Sequence, residues 1–121
     1  MKTTITKTLG GKERDFNFGI FFMTLLEDYF DGLNNYDKAI REQPLRTSIV
    51  CLYLGARASA ESKDEVVDFK LSDVYDWVDE VGIGSDEYQA VNTHLNKCLF
   101  SYVEQLQKKV QSETKKNVKK K

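Results

Sequence analysis

Residues 3–20 read TTITKTLGGKERDFNFGI, and this stretch decides the fold. Thr3, Ile5, Lys7 and Leu9 alternate with Thr4, Thr6 and Thr8, and β-branched residues suit a pleated strand. Gly10-Gly11 supplies two residues that tolerate positive φ, as a two-residue hairpin turn requires. The return run from Lys12 to Phe18 alternates too, with Arg14, Phe16 and Phe18 on one face. A hairpin is therefore expected over about 3–18. A lone hairpin is marginal in water, so it must pack on the rest of the chain.

The chain beyond the hairpin is helical. Gly19 breaks the strand, and Phe22, Leu25, Leu26, Tyr29 and Leu33 recur at helical spacing over about Ile20–Leu33. A short second helix is expected over Tyr36–Arg41, stopped before Pro44. A third runs from Leu45 to about Ala60 on Leu45, Ile49, Leu52, Tyr53 and Ala56. Ser72 reads as the N-cap of a fourth, whose apolar side holds Val74, Tyr75, Trp77, Val78 and Val81 and which Gly82 closes. Ser85 caps the fifth and longest, with one seam through Tyr88, Val91, Leu95, Leu99, Tyr102, Leu106 and Val110. The fold class is α+β, mostly helical: a hairpin packed with about five helices. Residues 1–107 form one domain. Residues 108–121 end the last helix and continue as a Lys-rich, disordered tail.

The 121 residues make one core. The net charge of −1 is unevenly spread: residues 108–121 hold seven lysines against Glu113, leaving 11 basic and 18 acidic groups before them. An acidic body is a poor non-specific nucleic-acid binder, although the lysine tail keeps such binding as a rival reading. Cys51 and Cys98 sit in apolar helical patterns and read as reduced core thiols. No signal peptide and no apolar run long enough for a bilayer is present, so the chain is expected to stay where it is made, with no membrane partner.

No catalytic constellation emerges. The single histidine, His94, has no nucleophile motif to serve and reads as a partly exposed helix residue. One histidine and two distant cysteines do not make zinc spacing. Asp73, Asp76, Asp79 and Glu80 repeat at helical spacing and line a solvated face, as do Glu27, Asp28 and Asp31. Gly10-Gly11-Lys12 lacks the rest of a phosphate loop. Neither enzyme activity nor cofactor nor metal is expected. Seven aromatics crowd into residues 16–36, more than a small core readily covers, so part of them should form a partner surface. The candidate contact residues are Phe21, Phe22, Phe30 and Trp77, with a core role for these rings held open.

The order of features resembles the tail assembly chaperones of long-tailed bacteriophages. The resemblance rests on Gly11-Lys12-Glu13 in the hairpin, Phe18-Gly19-Ile20 at the strand-to-helix joint, and the block LSDVYDWVDE at 71–80, and it spans roughly residues 3–105. It implies a protein that binds the tape-measure protein in the host cytoplasm, keeps it soluble, aids tail-tube assembly and leaves no copy in the mature virion. Partners would be the tape-measure protein and the tail-tube protein, with homo-oligomerisation left open. The family often makes a longer product by ribosomal frameshifting, and Lys119-Lys120-Lys121 would be encoded by an A-rich run. The alternative is a phage structural connector, or a regulatory interaction module, that remains in its complex.

Overall fold

The computed structural model describes residues 2–119, with side chains to residue 109. The hairpin forms as expected: β1 (Thr4–Leu9) pairs antiparallel with β2 (Lys12–Asn17), with Leu9 opposite Lys12 and Ile5 opposite Phe16. Gly10 and Gly11 take φ of 64° and 81°, the left-handed pair that matches the twist of the strands. The Phe18 N–H donates to the Thr3 carbonyl at 2.9 Å and carries the ladder one step further. Leu9, Phe16 and Phe18 are fully buried, while Thr4, Thr6 and Thr8 face solvent. Strand periodicity alone makes that division.

Asn17 turns the chain: its Oδ1 accepts the Gly19 N–H at 3.0 Å, and α1 (Ile20–Phe30) begins directly after it. The core side of α1 is Phe22, Met23 and Leu26, whereas Tyr29 of the expected stripe is exposed. α1 ends three residues earlier than the periodicity suggests. Asp31 adopts the left-handed conformation (φ 55°) and its N–H reaches the Glu27 carbonyl, closing the helix. Leu33 therefore opens α2 (Leu33–Glu42).

α3 (Pro44–Ser62) is the axle of the domain. Pro44 occupies the first turn, where its missing N–H leaves no helical bond unmade. From Ile49 to Ala60 the helix is buried on most of its circumference, which only a central position allows. Small residues let neighbours close in: a Cβ on Gly55 would collide with the Phe18 ring. Leu45 is the exception to the expected stripe and is half exposed.

Residues 65–70 carry no regular structure and lead into α4 (Leu71–Val81). The cap differs from expectation. Lys70 is the N-cap position, and the Asp73 carboxylate accepts its backbone N–H at 2.8 Å. Ser72 lies inside the first turn. An acid at the third helical position satisfies an orphan donor there, so Asp73 performs the capping assigned to Ser72.

Ser85 does cap α5 (Asp86–Lys119), its Oγ accepting the Tyr88 N–H at 3.2 Å. The first half of α5 lies along β1 and α3, where the Ser48 hydroxyl meets the Tyr88 hydroxyl at 2.9 Å and Asn92 Oδ1 at 2.7 Å. The expectation of a flexible tail over 108–121 falls mostly on residues 110–121, which lie outside the residues whose side chains are described. The architecture is thus a two-stranded hairpin and then five helices arranged around α3.

Candidate partner-binding surface

The two sequence blocks that carry the family resemblance meet in space. Trp77, on α4, lies against the hairpin turn so closely that a Cβ on Gly10 would strike its ring. The Arg14 guanidinium stacks 3.8 Å above the same ring. Arg14 Nε also donates to the Leu9 carbonyl at 2.9 Å, and Nη2 to the Gly10 carbonyl at 3.4 Å. Burial lowers the Arg14 pKa, while Asp68, Asp73 and Glu80 act in the opposite direction and favour its charge. Phe69 completes the junction with its ring centroid 5.3 Å from that of Trp77. The two hydrogen bonds fix Arg14 within the hairpin, and its stacking on the indole face joins the hairpin to α4. Phe18, Val74, Trp77 and Val78 of these motifs are buried and build the fold.

This placement divides the four candidate contact residues. Trp77 is 6% exposed and Phe22 is fully buried against Phe18, ring centroids 5.0 Å apart and nearly perpendicular. Both are core in this structure, because the hairpin and α3 cover the sides on which they lie. Phe30 is half buried between Tyr29 and Tyr36, at centroid distances of 5.0 and 5.6 Å. Phe21 alone of the four lies clearly at the surface, 43% exposed.

The open apolar surface lies elsewhere, in two places. The first is a groove between the start of α1 and the middle of α5. Ile20 and Met23 form one wall, Cys98 and Tyr102 the other, with Phe18 at the floor and Gln105 at the rim. Ile20 is 67% exposed. Met23 has an unbranched, polarizable side chain that adapts to irregular apolar partners. The second place is a pair of exposed faces: Phe21 and Tyr29 on α1, and Phe100, Val103 and Leu106 on α5, with Leu25 and Leu99 beside them packed against the core. Phe100 is 71% exposed.

Ile20, Met23 and Tyr102 are not recognisable in the sequence as a set, because they come from two elements far apart in the chain. The one usable signal is the excess width of the α1 stripe at Ile20.

His94 is half buried, its ring centroid 6.2 Å from that of Phe18 and its Nε2 3.8 Å from the Cys98 sulfur. Burial raises the Cys98 thiol, which leaves it a weak nucleophile at neutral pH. Burial pushes Cys51 up to about 12, and it raises the neighbouring Tyr36 as well. Among the described residues no group of three or more His, Cys, Asp or Glu could hold a metal, and no helix is long and apolar enough to cross a membrane. Comparison of the chain with family models, with curated proteins and with solved structures returns no match.

Proposed function

We propose that this chain is a tail assembly chaperone of a long-tailed phage, which holds the tape-measure protein by binding alone and keeps its apolar helices from aggregating. The observation that carries the reading is the groove between α1 and α5, where Ile20 stands open to solvent above a floor and wall of Phe18, Met23, Cys98 and Tyr102. An amphipathic helix laid into such a groove buries its apolar face, which is the usual helix-in-groove mode of recognition. The acidic body surrounding it keeps the pair in solution. The sequence blocks at 11–20 and 71–80 support the family, and the groove supplies the kind of surface that the family's task requires.

Co-expression tests this. The wild-type chain should raise the soluble fraction of its phage's tape-measure protein several-fold, and Ile20→Glu should abolish the gain while leaving the fold intact. Unchanged client solubility with a folded wild-type chain contradicts the reading. Recovery of the chain from purified virions would favour the structural connector instead.

A further inference from the structure

The hairpin leaves one strand edge open. The Phe18 N–H donates to the Thr3 carbonyl, so Thr3 and Phe18 are a hydrogen-bonded pair. Bonded and non-bonded pairs alternate along an antiparallel ladder. The bonded pairs are therefore Ile5–Phe16, Lys7–Arg14 and Leu9–Lys12, and Thr4, Thr6 and Thr8 turn their N–H and C=O groups outward. The sheet has two strands, and none of these outward groups has a backbone partner among the described residues.

Strand edges are commonly blunted by proline, a bulge or a covering segment. β1 contains no proline, and its register runs unbroken from Thr4 to Leu9. β2 is flanked instead: the end of α3 stands beside it, with Lys63 Nζ 2.7 Å from Asp15 Oδ2, and Glu65 and Val66 line the same cleft. Beside β1 lies a groove of about 350 Å³. Thr6 and Thr8 line it from β1, and Asp86, Glu87 and Ala90 line it from the start of α5. Its charged groups are the acids Glu13, Asp86 and Glu87 and the single base Lys7. None of the four takes part in an ion pair among the described residues.

We propose that this edge receives an extended, basic segment of a partner protein, which adds to β1 as a third, antiparallel strand. Main-chain hydrogen bonds to Thr4, Thr6 and Thr8 supply the attachment, as in other strand additions. Charge selects the occupant: lysine or arginine at every second position lies on the side of Asp86 and Glu87, whereas an acidic segment meets like charge. Directly opposite residues of an antiparallel pair share a face. The residues that bond to Thr4, Thr6 and Thr8 therefore carry their side chains on the solvent side. The basic side chains alternate with them and lie toward α5, which packs on β1. The site is separate from the α1–α5 groove and does not rest on the chaperone reading.

A capped octapeptide of alternating valine and lysine, titrated into the full chain and followed by amide hydrogen exchange, tests the proposal. The Thr4, Thr6 and Thr8 amides should exchange at least about tenfold more slowly with peptide bound, while those of Ile5 and Lys7, already bonded within the hairpin, change little. N-methylation of the valine amides removes the inter-strand donors and should weaken binding at least about tenfold, whereas N-methylation of the lysine amides should cost less than about threefold. Thr6→Pro deletes an outward donor without breaking a hairpin bond and should also weaken binding at least about tenfold. D86K/E87K should reverse the preference, from the lysine peptide to one of alternating valine and glutamate. Trp77 fluorescence and circular dichroism check the fold of each variant. No binding at millimolar peptide, protection at Glu13 and Asp15 in place of β1, or equal losses from the two methylation patterns would overturn the proposal. Protection of Thr4, Thr6 and Thr8 that rises with protein concentration in the absence of peptide would overturn it too, since another copy would then occupy the edge.

Discussion

The two halves of α5 share one helix and one apolar periodicity, yet they differ in everything that depends on neighbours. In the first half, Tyr88, Val91, Leu95 and Cys98 are buried against β1, α3 and the hairpin core. In the second, the same spacing continues through Leu99, Val103 and Leu106, and the last two are 43% and 42% exposed. Periodicity reports which face of a helix is apolar. It does not report where the covering elements stop. Here they stop at Thr3, just before β1, and at Ile20, where α1 starts, and past them the seam becomes open surface.

The largest effect is expected at the junction that holds the hairpin in place beneath the first half. Trp77→Ala removes the ring under Arg14 and against Gly10, and should cost about 3–5 kcal/mol in urea unfolding. A loss under about 1 kcal/mol would mean that the hairpin holds its position without α4. Next comes the comparison itself. Leu95→Ala should cost about 2–4 kcal/mol, and Leu106→Ala less than about 0.7, although both remove the same atoms from the same helix. Equal losses would show that the second half is covered as well as the first.

The boundary at the start of α5 is a smaller test. Ser85→Ala deletes the Oγ that accepts the Tyr88 N–H and should cost about 1 kcal/mol. The smallest effect belongs to the surface pair Asp15–Lys63, 2.7 Å apart with both side chains more than two-fifths exposed. The hydrogen bond from Lys63 is the main cause holding the Asp15 carboxyl below its usual range, with Thr6 adding to it. A depressed folded pKa means the stabilisation is complete above the unfolded value of 3.8 and is lost as pH falls through the folded one. Solvent screening keeps it to a few tenths of a kcal/mol. Lys63→Met should therefore flatten the acid limb of stability against pH slightly and leave pH 7 stability nearly unchanged.

The hairpin was legible to within one residue at each end because alternation and Gly10-Gly11 are both local signals. The first and second helices were legible as helices but not at their junction. Asp31 in the left-handed conformation ends α1 within a single turn, and nothing in the apolar spacing marks that step. The fourth helix was placed correctly while its cap shifted from Ser72 to Asp73, two residues that both suit a helix start. The candidate surface was the least legible part. Phe21 and Phe22 are adjacent and chemically identical, yet one is 43% exposed and the other buried, because about 100° of helix separates them. Trp77, which the sequence left open between display and core, proved to be the counterpart of Arg14, a pairing between distant parts of the chain that no short pattern contains.

Hydroxyl-radical footprinting of the full chain in dilute solution tests the difference between the two halves most directly. Phe100 and Leu106 should be oxidised at least about tenfold faster than Tyr88 and Leu95, in keeping with open and closed sides of one helix. Comparable rates at all four positions would contradict the account, since the second half of α5 would then be no more open than the first.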